Sequence, residues 1–227
     1  MIKKHIPNAI TCANLFSGCL GIVYAFNGSL QTAAYFVLLS GVFDFFDGLA
    51  ARALNVKSVI GKELDSLADM VSFGVLPGVV LFKLLSTSDY NSDYLPYLGF
   101  VITIFSALRL AKFNVDTRQT EDFIGLNTPM NTLLIVSLPF IQSDYPALIG
   151  STMFLLGLTA ILSWLLVSEI RIFSMKLNNL TWAQNKYKYV FLMLSVLLII
   201  FLKFVAVPFI LMLYIASSII HFRKVKA

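Results

Sequence analysis

Residues Asp44 to Asp69 read D-F-F-D-G-L-A-A-R-A-L-N-V-K-S-V-I-G-K-E-L-D-S-L-A-D. Four aspartates, an arginine and two glycines lie here between strongly apolar flanks, Ala33 to Phe46 and Leu67 to Leu85. Asp44 and Asp47 are three residues apart, with Gly48 and Ala51 continuing that face, while Gly61, Asp65 and Asp69 are spaced by fours. Residues three or four apart share one face of a helix. The stretch therefore predicts two helices, each presenting a carboxylate pair, joined by a polar turn near Asn55 to Ser58. An aspartate at the centre of a membrane-spanning helix costs about 2.5–3.5 kcal/mol, and ionisable groups at that depth mark function by default. If the two pairs converge, their charge must be neutralised by protons or by cations. Two divalent ions balance four carboxylates, and all-oxygen ligation favours Mg2+ or Mn2+ over Zn2+.

The glycines carry a second message. Gly48 and Gly61 each cost a helix about 1 kcal/mol relative to Ala, and such positions are expected where a ligand or another helix comes close to the backbone. Arg52, five residues past Asp47, adds a fixed cation. Carboxylates, divalent metal, arginine and backbone clearance together describe a site for a pyrophosphate-linked ligand.

Composition sets the setting. Of 227 residues, 58% are hydrophobic and 13% charged, against about 25% charged in soluble domains. The length predicts a single transmembrane domain over residues 1–227, with no room for a soluble one. Cys12 and Cys19 lie about 10 Å apart along one predicted helix, beyond the reach of a disulfide. The net charge of +5 follows membrane topology and does not call for nucleic acid.

In chain order, Pro7 opens a first span, Asn8 to Phe26, and His5 is read as an interfacial residue. Asn8, Thr11 and Asn14 recur at three-residue spacing on its entry face, where they suit capping and hydrogen bonds between helices. Asn27-Gly28-Ser29 is a turn, Gln31 to Leu54 the second span and Val59 to Leu85 the third. Leu95 to Phe113 is a fourth, followed by a charged loop from Val115 to Asn127. Thr128 to Ile141 is a short apolar segment broken by Pro129 and Pro139, and Ala147 to Val167 is a sixth span. Tyr189 to His221 exceeds one crossing of about 20 residues. Lys203 and Pro208 interrupt it, which predicts a tight hairpin of two spans. The fold expected is an all-α polytopic bundle of about eight transmembrane helices. The alternative has six, with Thr128 to Ile141 re-entrant and the last run one bent helix. With eight spans and a cytoplasmic amino terminus, all but Lys83 and Lys203 of the 17 Lys and Arg fall on the cytoplasmic side. That asymmetry is the positive-inside pattern. It puts both termini and the aspartates at the cytoplasmic face, and the absence of targeting extensions suggests the cell membrane of a prokaryote.

The pattern D-x2-D-G-x2-A-R-x8-G-x3-D-x3-D is filled by Asp44, Asp47, Gly48, Ala51, Arg52, Gly61, Asp65 and Asp69. It resembles the signature of the CDP-alcohol phosphotransferases, integral membrane enzymes of phospholipid synthesis. The resemblance implies attack by an alcohol on the lipid-side phosphorus of a CDP-linked lipid, with CMP leaving. It implies that Asp44, Asp47 and Asp65 hold metal, and that Asp69 lies near the metals and is the candidate general base. Arg52 would contact phosphate, and Gly48, Ala51 and Gly61 would make room for the cytidine part. It also offers a second reading of Asn8 and Thr11, as part of a Pro-Asn-x2-Thr stretch lining the nucleotide pocket. A homodimer is implied too, and small residues such as Gly150 and Gly157 permit one.

Within that family, M-V-S-F-G after Asp69, L-R-L-A-K-F-N from Leu108 and F-I-G-L-N-T-P from Phe123 resemble the phosphatidylserine synthase branch. That likeness covers roughly residues 1–142. It implies CDP-diacylglycerol and L-serine as substrates, with Arg109, Asn114, Arg118 and Thr128 as candidates for the serine pocket. Asn127 stands where the branch has proline, and Lys112 where it has arginine. The alternatives are a sister transferase using glycerol 3-phosphate or inositol phosphate and, more remotely, a divalent-cation transporter. The transporter gives no reason for Gly48, Arg52 and Gly61.

Overall fold

The computed structural model describes residues 3, 5–56, 58–90, 92–116, 122–175 and 181–225, with side chains at all of these except 183, 184, 224 and 225. The first helix, α1 (Ile6–Phe26), starts with Pro7 in its first turn, where a missing N–H costs nothing. Its buried residues are Pro7, Thr11, Asn14, Ser17, Gly18, Gly21 and Ala25, a seam of small and polar side chains at three- and four-residue steps. Phe16, Val23, Tyr24 and Phe26 point outward. Lipid is as apolar as leucine, so helices in a membrane associate through close backbone approach and polar contacts. The seam provides both: Ser17 Oγ donates to the Phe36 carbonyl at 2.9 Å, and Ser40 Oγ to the Asn14 carbonyl at 3.2 Å.

The turn at Gly28 (φ 82°) leads into α2 (Leu30–Ala53), which carries Asp44 and Asp47. Asn55 takes φ 51°, and Ser58 then caps α3 (Val59–Asp69) by accepting from Gly61 N at 3.2 Å. Helix α3 runs into a π-helical segment, Met70–Val75, and on into α4 (Leu76–Ser86). This rod is the most buried of the candidate spans. A 3-10 turn at Leu95–Phe100 opens α5 (Val101–Val115). Then come α6 (Thr128–Asp144), a single turn α7 (Pro146–Ile149), α8 (Thr152–Val167), α9 (Trp182–Leu202) and α10 (Ala206–Val225). Strands β1 (Phe123–Ile124) and β2 (Arg171–Ile172) pair antiparallel, joining the chain before α6 to the chain after α8.

Among the described residues, five stretches are long and apolar enough to cross a bilayer: Ile6–Phe26, Leu30–Ala53, Val59–Ser86, Leu95–Val115 and Asn185–Arg223. The protein is an all-α integral membrane protein. Several expectations change in detail. Thr128 to Ile141 is not broken by its prolines: Pro129 sits at the helix start, where it is tolerated, and Pro139 lies inside one continuous α6. The segment read as Ala147 to Val167 is interrupted at Gly150, and α8 starts afresh from Ser151, whose side chain accepts from Phe154 N. The last apolar run, by contrast, folds back as the predicted hairpin requires, rather than bending as in the six-span alternative. Lys203 adopts φ 50°, and the rings of Tyr187 and His221, and of Phe191 and Tyr214, meet across α9 and α10 at 5.1 and 5.3 Å. The π segment and the β ribbon have no counterpart in the sequence reading.

Candidate active site

Helices α2 and α3 diverge from the Asn55 turn with their acidic faces toward each other. Asp44, Asp47 and Asp65 each offer a carboxylate oxygen, and these oxygens all lie within 4.8 Å of one another. Thr11 fixes the middle member, its Oγ1 donating to Asp47 Oδ2 at 2.7 Å. Asp47 is only 7% exposed. Asp65 Oδ1 is buried and takes no hydrogen bond from the protein. Buried polar atoms are almost always partnered, and three like charges at this spacing repel strongly where water is scarce. A lone-pair-rich carboxylate trio with an oxygen left over fits a hard cation.

Asp69 stands one turn further along, at the junction with the π segment. It is outside the close trio, and its Oδ1 accepts from Asn14 Nδ2 at 3.3 Å. The cavity in front of the trio has a volume of about 640 Å3 and is lined by Asn8, Thr11, Asp47, Gly48, Ala51, Gly61, Lys62, Glu63 and Asp65, among others. Gly61 faces Asn8 closely: a methyl group there would lie 3.0 Å from Asn8 Oδ1. Arg52 is exposed, with its guanidinium leaning over Gly48 at the cavity rim. One hollow thus gathers Asp47, Gly48, Ala51, Gly61 and Asp65 with Asn8 and Thr11 of α1, and the trio joins Asp44 to it.

A family described as CDP-alcohol phosphatidyltransferase matches residues 4–168 of this chain. The chain belongs to the CDP-alcohol phosphatidyltransferase family. Among relatives, the CDP-diacylglycerol–serine O-phosphatidyltransferase of Bacillus subtilis is 36% identical over 172 residues, covering 74% of this chain and 89% of that one. The protein of the same name from Helicobacter pylori strain J99 is 36% identical over 169 residues, 73% of this chain and 70% of its own. The archaetidylserine synthase of Methanothermobacter thermautotrophicus is 35% identical over 135 residues, 58% of this chain and 56% of that relative. The matched region contains every helix that lines the aspartate cavity.

Of the residues expected around serine, the three that are described, Arg109, Asn114 and Thr128, do not line that cavity. Arg109 is buried in α5, its Nε donating to the Leu126 carbonyl at 3.2 Å and its guanidinium 5.1 Å from the Phe113 ring centre. Thr128 is buried in the first turn of α6, where its carbonyl accepts from Thr132 Oγ1 at 2.9 Å. Asn114 comes nearer the site, donating from Nδ2 to Ser66 Oγ at 2.8 Å, and its carbonyl accepts from Lys62 Nζ at 3.3 Å. Arg118 lies outside the described residues. Asn127, the departure from the branch pattern, caps α6 by accepting from Met130 N at 3.0 Å, a bond that proline at this position has no side chain to make. The sequence offered Ser72 only as part of the M-V-S-F-G run, and it gave Asn14 capping or hydrogen bonds between helices without naming Asp69 as the partner. The three-residue spacing after Asn8 was the signal available for Asn14.

Proposed function

We propose that this chain transfers the phosphatidyl group of CDP-diacylglycerol to the hydroxyl of L-serine, giving phosphatidylserine and CMP. The observation that carries the reading is the convergence of Asp44, Asp47 and Asp65 on a cavity walled by Gly48, Ala51 and Gly61. The names of the relatives supply the acceptor.

The Asp44, Asp47 and Asp65 carboxylates, with Asp69 close by, would hold two divalent cations, Mg2+ or Mn2+. When bound, these would clamp the pyrophosphate and offset the charge that develops on the leaving CMP. Thr11 holds Asp47 in its ligating orientation. Arg52, at the rim, adds a charge-assisted contact to phosphate. Gly48 and Gly61 leave the cytidine part room against helix backbone, with Asn8 and Ala51 beside it. The serine oxygen bonds to the lipid-side phosphorus as that atom's bond to the bridging oxygen breaks. The serine proton passes to Asp69, and CMP departs with the bridging oxygen. Serine's carboxylate needs one cation. Lys62 on the cavity wall joins Arg109, Asn114, Arg118 and Thr128 as a candidate for this pocket.

We place the single catalytic domain over residues 1–227, with eight membrane crossings, the aspartates and both termini on the cytoplasmic side, and a homodimer as the working unit. The test offers purified protein CDP-diacylglycerol and Mg2+ or Mn2+ with labelled serine, glycerol 3-phosphate or inositol phosphate, and follows CMP release. Release with serine alone supports the reading. Release only with another alcohol moves the chain to a sister transferase.

A further inference from the structure

The Asn14 side chain is fully buried and is held at both ends. Its Nδ2 donates to Asp69 Oδ1 at 3.3 Å, and its Oδ1 accepts from Ser72 Oγ at 2.7 Å. An ionised carboxylate can only accept, so Asp69 sets the orientation of the amide, and the oxygen this turns toward Ser72 accepts from an Oγ that also lies 3.2 Å from the Asn14 main-chain carbonyl. Turning it over would set the amide oxygen against the carboxylate. Ser72 is itself fully buried and sits in the π segment directly after Asp69. Single π turns of this kind occur often at functional sites. The contact is enforced from the other side by Gly18: any side chain there would overlap Ser72 Oγ and lie 3.0 Å from Ser72 Cα. The α1 backbone and the π turn therefore meet at this point.

We infer that Asn14 is a positioning residue for Asp69, with Ser72 as the lock on its amide. Tying Oδ1 of Asp69 leaves Oδ2 as the oxygen that takes the proton of the attacking alcohol. The inference rests on Asp69 being the base of the proposed transferase. It adds that the base is aimed from α1, a helix that carries none of the signature residues.

Two substitutions separate positioning from packing. Asn14→Asp has nearly the same shape and still accepts from Ser72, yet it loses the donor to Asp69. Asn14→Leu removes both contacts. In the full-length protein, each should lower kcat by about 10- to 100-fold, the range for losing a hydrogen bond to a charged group. The KM for CDP-diacylglycerol should stay within about twofold, and binding of CDP-diacylglycerol measured without serine should be unchanged. Ser72→Ala keeps the donor and removes only the lock, so its kcat should fall by about threefold. A kcat for Asn14→Asp within threefold of wild type overturns the inference. So does a loss that appears wholly in the KM for CDP-diacylglycerol, or failure of both Asn14 variants to fold, since a packing residue gives those results. Wild-type protein with each alcohol, run alongside, tells a wrong acceptor from a wrong role for Asn14. Full activity in Asp69→Asn would remove the base itself.

Discussion

Substituting Gly61 should separate stability from substrate affinity. A methyl group at this position would lie 3.0 Å from Asn8 Oδ1 and 3.5 Å from Ser58 Cβ, with no backbone atom of another element among its nearest neighbours. The nearest atom is the end of a side chain, which can yield by a few tenths of an ångström. In the free protein Gly61→Ala is therefore tolerated, and α3 recovers up to about 1 kcal/mol of helix propensity. When the cavity is filled the account reverses. The methyl group and the displaced Asn8 both intrude on space assigned to the nucleotide, and overpacking costs about 1–3 kcal/mol. Because Asn8 can move, the lower half of that range applies, which is a rise of about 5- to 30-fold in the KM for CDP-diacylglycerol. CMP release at varied CDP-diacylglycerol measures the KM, and thermal unfolding of the detergent-solubilised protein without nucleotide measures stability. Gly157 provides the control, because a methyl group there meets nothing within 4 Å, and Gly157→Ala should leave the KM alone. An unchanged KM in Gly61→Ala, or a melting temperature below wild type, would refute the assignment of Gly61 to the substrate wall.

The remaining tests address other parts of the site and the opposite end of the bundle. Thr11→Val keeps shape but removes the 2.7 Å hydrogen bond to Asp47. It should raise the metal concentration for half-maximal activity by about tenfold, the low end of the range for groups that orient metal ligands, as read by Mg2+ and Mn2+ titration of CMP release. Asp69→Asn should abolish turnover while CDP-diacylglycerol still binds, which separates proton transfer from substrate binding in one variant. Far from the site, Asp89 Oδ1 accepts from Thr152 N at 2.8 Å and Thr152 Oγ1 at 2.6 Å. These bonds to Thr152 hold the Asp89 carboxyl below the ordinary aspartate value of 3.8. A depressed folded-state value means that the stabilisation is present above 3.8 and fades as pH falls through the folded value. Wild type should therefore melt above Asp89→Ala at neutral pH, with the gap closing in acid, and the KM values of the variant should match wild type.

The site was largely legible because membrane burial makes polar residues conspicuous. Asp44, Asp47 and Asp65 stood out from apolar flanks, and helical spacing put each pair on one face of its helix, while only the fold shows the two faces meeting. The acceptor side was harder to read. Arg109 lies inside the end of a predicted span, and its guanidinium contacts the Leu126 carbonyl and the Phe113 ring rather than the aspartate cavity. A buried cation with a structural partner and one awaiting substrate have the same sequence signature. The π segment was invisible for a related reason, since Met70–Val75 is as apolar as any neighbouring turn and periodicity does not register one wider turn. Pro139 misled in the opposite direction, because its effect depends on neighbours that take up the freed carbonyls.

Helix α1 shows why part of the catalytic arrangement lies outside the signature. In water, a helix with Thr11, Asn14, Ser17, Gly18 and Gly21 turned inward and Phe16, Val23 and Phe26 turned outward would be inside out. In a bilayer the large side chains lose nothing by facing lipid, and the small ones let backbones approach closely enough for hydroxyl and amide groups to bond across helices. The seam that packs α1 on α2 and on the α3–π–α4 rod therefore also carries its polar contacts to the aspartates: Thr11 to Asp47 and Asn14 to Asp69. Packing and positioning use the same face, separated by single turns. A substitution at Gly18, which touches no aspartate, should then act on turnover through Ser72 and Asn14. Gly18→Ala must displace the π turn, so kcat should fall with the KM for CDP-diacylglycerol little changed. Loss confined to the KM would instead place the effect at Thr11 and the cavity, about two turns away on the same face.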